Sequence, residues 1–181
     1  SSCVSMQKSL SLYWAKADED TRRVIQECWM QAVDDAIQYE HDNGRIRGRE
    51  KAQGVESVRG ESVALTYLHC TARRTPGAEF PDPQIHAHVE RPNFVMLPGG
   101  KFTTLDAGHL YKTQREFGAV VDVSFFQRIQ ERLPQLASAT VVDWAGHGLR
   151  LNDRSVSRQT VEEFSKRSQQ ISAEKKNLAV S

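Results

Sequence analysis

The stretch whose reading decides the fold is "FPDPQIHAHVERPN", Phe80 to Asn93. Its Pro-Asp-Pro turn opens a strand predicted to run to about Met96. Residues two apart on a strand project to the same face, so His86 and His88 stand side by side. A third ligand at the same height must come from a neighbouring strand. The segment "SVALTYLHCTA" (62–72) offers His69, which antiparallel pairing brings opposite the pair. Three imidazoles on one sheet face make a divalent-metal site with positions left open for water or substrate. Cys70 falls on the other face and is a poor ligand. His41 ends a helix, His109 starts one and His147 sits in a turn, so none of them joins the group.

A bare His-x-His also suits a strand that merely faces solvent, and spacing removes one rival reading. Cupin-type metal strands want a glutamate four or five residues after the second histidine and a glycine six before the first. Here Glu90 follows His88 by two, and Phe80 holds the glycine position.

The rest of the chain frames this strand. With 181 residues there is enough chain for one well-buried core, so residues 1–181 are read as a single domain. A hydrophobic share of 39% beside 26% charged residues fits a soluble globular protein. No apolar run reaches the ~20 residues a membrane helix needs. The balance of 24 basic and 23 acidic residues is a weak footprint for nucleic-acid binding, so such a role must rest on local patches. Three cysteines (Cys3, Cys28, Cys70) without a Cys-x-x-Cys exclude a disulfide framework and fit a reducing cytoplasm.

Apolar residues at three- and four-residue steps predict helices over Asp18–His41 and Ala107–Leu133. Strands are expected near Arg45–Lys51 and Ser62–Ala72, joined through Gly54 and Gly60. A hairpin turns at Pro98-Gly99-Gly100, and a second, "TVVDW" to "GLRLN", passes through Gly146. A polar helix capped by Ser157 closes the chain, residues 155–181 forming this C-terminal helix and tail. The sum is an α+β fold, a central antiparallel sheet carrying the histidines and covered by helices on one face.

The segments "HCTAR" (69–73) and "DPQIHAH" (82–88), followed by Asn93, together resemble the histidine signature of conjugative relaxases of the TrwC/TraI type, within the HUH nucleases. The resemblance extends to "QKSLSL" (7–12), to the hairpin and helix of "GGKFTTLDAGHLYKTQREFGAVVDVSFFQRI", and to "VEEFSKRSQQI" (161–171). It implies a bacterial, cytoplasmic enzyme that nicks one DNA strand at a transfer origin. It further implies one divalent cation (Mg, Mn or Zn) on His69, His86 and His88, and single-stranded DNA as partner. An N-terminal relaxase segment and other transfer proteins are implied as further partners. Lys8, Arg73 and Lys101 are candidate phosphate contacts.

The sequence departs from that pattern in several places. The family's nucleophilic tyrosines precede its "PKS" segment and are expected upstream of Ser1. A family carboxylate seven residues before the segment's lysine falls on Ser1. The loop between His69 and His86 is longer than the family's, and Glu90 shares the histidine face. Of the tyrosines present, Tyr13 is expected in the core, Tyr39 has no link to the site, and Tyr111 is packing or a stacking surface. Tyr67 shares the face of His69; it is expected as a core aromatic, and is the one residue able to substitute as nucleophile. The leading expectation is therefore the metal-bearing portion of a relaxase, inactive alone. An inert single-stranded DNA-binding module and a rolling-circle replication initiator follow as alternatives. No P-loop is present.

Overall fold

The computed structural model describes residues 2–51, 55–143, 148–166 and 168–173. The chain opens with a short strand, β1 (Ser2–Ser5), and a helix, α1 (Lys8–Lys16). Helix α2 (Glu19–Asp42) starts where the Asp18 carboxylate accepts from the Thr21 backbone N–H at 2.8 Å. Glu19 and Asp20 in its first turn favour the positive end of the helix dipole. The stripe Ile25, Cys28, Trp29, Ala32, Val33 and Ala36 is fully buried. The second long helix is α3 (Ala107–Arg132), which buries Phe117, Val121, Phe125 and Ile129. The two helices pack face to face, with Trp29 meeting Phe125 edge-on at 5.5 Å between ring centroids.

Between them in sequence run β2 (Arg47–Lys51), β3 (Val55–Arg59), β4 (Leu65–Thr71), β5 (Pro83–Glu90), β6 (Val95–Met96) and β7 (Phe102–Leu105). All the pairings are antiparallel and fall into separate sheets. One has the order β1-β5-β4 and another the order β3-β2-β7-β6. The first sheet lies on the helices: Ile85, Ala87 and Val89 of β5 are fully buried in the same cluster as the α2 and α3 stripes. The second encloses its own small core of Ile46, Val95, Leu97 and Leu105. Gly60 permits the crossing between β3 and β6, since a Cβ there would stand 2.3 Å from Val95 Cγ1 and 2.7 Å from the Met96 carbonyl. The β6–β7 hairpin turns through Gly99 and Gly100 at φ +91° and +83°, the left-handed region that glycine enters freely.

Helix α4 (Pro134–Ala139), the hairpin of β8 (Thr140–Asp143) with β9 (Gly148–Leu151), and α5 (Arg158–Glu163) complete the chain. Two buried hydroxyls lock α1 into place. Ser11 Oγ accepts from the Ile85 N–H of β5 at 3.1 Å, and Ser9 Oγ accepts from the Leu151 N–H of β9 at 3.0 Å. The backbone of the histidine strand is thereby fixed one residue from His86.

The α+β class, both long helices, the glycine hairpin and the Ser157 cap match expectation; Ser157 Oγ accepts from the Thr160 N–H at 3.1 Å. Four points differ. Strand β1 and helix α1 precede everything the periodicity predicts. The glycine-flanked connection holds an additional strand, β3. The histidine strand stops at Glu90, and β6 belongs to the other sheet. The closing helix breaks at Phe164 and resumes at 166, because the Lys166 N–H turns to the buried Asp82 carboxylate at 3.3 Å. Gly54, Gly146, His147 and residues 174–181 lie outside the described residues.

Candidate metal centre

Strand β5 lies in the middle of its sheet, so both its edges carry partners. The alternation that sends Ile85, Ala87 and Val89 into the core sends Gln84, His86, His88 and Glu90 to the opposite, open face. On β4 the register sets His69 against His86 and Tyr67 against His88. On β1 it sets Ser5 against His86 and Cys3 against His88. Two rows of side chains therefore cross the open face, Ser5-His86-His69 and Cys3-His88-Tyr67.

The three imidazoles close into a triangle with ring-centroid separations of 5.1 Å (His69–His86), 4.9 Å (His69–His88) and 5.1 Å (His86–His88). The centre of such a triangle is about 2.9 Å from each ring centroid, a distance compatible with metal–nitrogen bonds of about 2.0–2.1 Å. The ring planes are tilted 51° to 66° to one another. His86 Nδ1–H donates to the Gln84 carbonyl at 3.0 Å, which fixes the tautomer and leaves Nε2 with its lone pair. Burial lowers the His86 pKa, and the neighbouring His69 and His88 lower it further against the opposing Gln84 hydrogen bond. The shift favours the neutral ring, the form that ligates.

The rings of His69, His86 and His88 lie beside one another on this face, while the ligand atoms within 4.8 Å of one another are those of His86, His88 and Cys3. Of the three candidate phosphate contacts, Lys8 and Arg73 lie near the Asp82–Pro83 start of β5, and Lys101 lies on a hairpin of the other sheet. Lys8 is half-buried, with Nζ donating to the Pro83 carbonyl at 2.9 Å; burial lowers its pKa, opposed by the Asp82 charge. Arg73 lies exposed past the C-terminal end of β4. Lys101 lies exposed in the β6–β7 turn, on a hairpin bridged to Glu61 ahead of β4. Tyr67 corrects the expectation of a core aromatic: it is 50% exposed, because its strand parity is that of His69 and not that of the core-facing Leu68. Tyr111 is 78% exposed, so packing is not its role. Tyr13 packs against the main core, as expected, and the Tyr39 hydroxyl donates to Glu116 at 2.7 Å. Cys70 also lies on the far side, with its Sγ accepting from Gln26 of α2 at 3.2 Å.

Two features had no strong sequence signal. Cys3 Sγ lies with ring nitrogens of His86 and His88 such that all three atoms are within 4.8 Å of one another. Its place depends wholly on β1, a four-residue strand with one β-branched side chain. The other is a run of exposed apolar residues on and ahead of β4 (Val63, Leu65, Tyr67), with Phe94 and Phe102 paired edge-to-face at 5.7 Å on the adjoining loop and hairpin.

The fold and this face define an α+β domain with a histidine cluster on an open sheet, backed by two long helices. The chain belongs to the TrwC relaxase family, whose family model matches residues 2–180. Among solved structures it is similar to the conjugative relaxase TrwC in complex with OriT DNA in a metal-free form, at 25% identity and TM-score 0.75 over 94% of this chain and 55% of that one. It is similar to the metal-bound complex at 25% identity and TM-score 0.74, covering 94% and 54%, and to a copper-bound complex at 26% and 0.75, covering 94% and 53%. The chain thus spans about half the length of the solved relatives it matches. No curated protein sequence matches it.

Proposed function

We propose that this chain carries the metal-bearing half of a relaxase, in a bacterial cytoplasm, acting on single-stranded DNA at a conjugative transfer origin. The observation that carries the reading is the triangle of His69, His86 and His88 on a sheet face open to a substrate, in a chain of this family. A bound divalent cation would supply Lewis-acid polarisation of the scissile phosphate and stabilise the charge developing on its oxygens. The protein's part is to hold the imidazoles in a fixed arrangement. The core beneath β5 sets their backbone, and the Gln84 carbonyl sets the His86 ring. The run of Val63, Leu65, Tyr67, Phe94 and Phe102 offers apolar and aromatic surface on which bases can stack beside the centre. Lys8, Arg73 and Lys101 contact phosphates.

The nucleophile is assigned outside these 181 residues. Tyr13 and Tyr39 are engaged elsewhere, Tyr111 is on a helix, and Tyr67 is held by the β4–β5 ladder beside His88. A phenolate that attacks phosphorus in line and then carries the 5′ end away needs freedom to move that a mid-strand residue lacks.

Calorimetric titration with Mn²⁺ tests the centre: one site is expected, lost in His86→Ala, and unchanged binding in that variant would refute the three-histidine assignment. A labelled origin oligonucleotide tests the chemistry. The chain alone should give no covalent 5′ adduct, and a supplied tyrosine segment of a relaxase should restore it. A metal-dependent adduct that vanished in Tyr67→Phe would overturn the assignment of the nucleophile. DNA binding with no adduct under any supply of tyrosine would identify an inert binding module.

A further inference from the structure

We propose that Cys3 is a fourth ligand at this centre, its thiolate completing a set of three nitrogens and one sulfur that selects a soft divalent cation, zinc foremost. The proposal rests on the metal reading of the three histidines and adds a donor to it. The register places Cys3 directly across from His88, on the same open face. Its Sγ and the ligand nitrogens of His86 and His88 already lie within 4.8 Å of one another. Donors on a tetrahedral zinc, with bonds of about 2.0–2.1 Å to nitrogen and 2.3 Å to sulfur, stand about 3.4–3.6 Å apart. The remaining gap is within reach of a rotation about χ1 of an exposed cysteine on an edge strand, whose Sγ now lies 3.9 Å from the Ser5 hydroxyl.

The other two cysteines are excluded by their surroundings. Cys28 is fully buried between the helices, and Cys70 faces α2. Binding takes Cys3 as thiolate, its proton passing to solvent. The consequence is one of selectivity. Sulfur favours zinc, cobalt and copper, whereas magnesium keeps hard oxygen ligands and near-octahedral geometry. The thiolate also occupies the coordination position a phosphate oxygen would take, so the sulfur-bound form is a resting state that DNA must open.

Cobalt(II) reports sulfur ligation directly, through a thiolate-to-cobalt charge-transfer band in the near ultraviolet. The full chain is loaded with Co²⁺, the bound metal counted by equilibrium dialysis, and the spectrum compared among the parent, Cys3→Ser, Cys70→Ser and His86→Ala, with circular dichroism to verify each fold. The band is expected in the parent and in Cys70→Ser, and lost in Cys3→Ser while cobalt stays bound. Zinc affinity, read by competition with a chelating dye, should fall at least about 10-fold in Cys3→Ser, since even outer-shell partners are worth about 10–100-fold. Bound cobalt without the band, or a band persisting in Cys3→Ser, overturns the role of Cys3 and leaves the histidine centre standing. A parent chain that binds no cobalt overturns both.

Discussion

Replacing Ser11 by alanine isolates the hydrogen bond that seats the histidine strand. Ser11 and Ile85 are both fully buried, and the hydroxyl accepts from the Ile85 N–H at 3.1 Å. Removing it leaves a main-chain donor in a site closed to water. A typical hydrogen bond contributes about 1 kcal/mol net, but a buried donor left unsatisfied costs about 1–3 kcal/mol. The vacated volume is a single oxygen, too small for water, so the cavity adds little. Ser11→Ala should therefore destabilise the chain by about 2 kcal/mol, equivalent to a fall of about 4–8 °C in Tm for a domain of this size. Urea unfolding followed by circular dichroism measures it as a lower midpoint at unchanged m. Ser62→Ala, on an exposed loop where Ser62 Oγ donates to the Phe94 carbonyl at 3.3 Å, is the control and should change stability by less than about 0.5 kcal/mol. Equal midpoints for Ser11→Ala and the control would refute the view that this hydroxyl anchors β5.

Glu40 and Arg91 form a buried ion pair, each side chain 5% exposed, that ties the end of α2 to the residue after β5. Burial pushes Glu40 up and Arg91 down in pKa, each opposed by its partner's charge; Glu40→Ala should cost about 3–5 kcal/mol, while replacing both by leucine costs far less. Burial lifts the Asp122 carboxyl from 3.8 to about 6, so the folded state binds this proton more tightly than the unfolded one. Its stabilising share is complete below pH 4 and is lost as pH rises to 6 and beyond. Asp122→Asn should gain about 1–2 kcal/mol at pH 7.5 after allowance for partial exposure, and no gain over the parent in urea unfolding would contradict this. Affinity for a single-stranded oligonucleotide should fall with salt at a log–log slope near −2 for three phosphate contacts, flattening by about 0.7 in Arg73→Ala. Salt-independent binding would remove all three contacts.

The histidine cluster was legible because strand parity and antiparallel pairing are nearest-neighbour rules, and both operate within residues 65–90. Helices α2 and α3 were legible for the same reason, each burying apolar residues at helical spacing over several turns. Helix α1 was not, because its buried face includes Ser9 and Ser11, which read as polar until their backbone partners on β5 and β9 are seen. The restart at Lys166 likewise depends on a carboxylate 84 positions earlier. Cys3 is the clearest case: nothing within a window of its neighbours says that β1 lies beside β5.

Asp82 also has a mechanical consequence. Its carboxylate holds the segment beginning at residue 166 by one 3.3 Å hydrogen bond and a 4.0 Å contact with the Lys166 ammonium, four residues from His86. A load applied along the C-terminal segment reaches this tie before it reaches the sheet. Among the described residues this tie rests on one carboxylate, whereas β5 is laced to strands on both sides and through Ser11 to a helix. Under such a load the Asp82 tie should yield first, like a fuse, before the imidazoles are pulled out of their triangle.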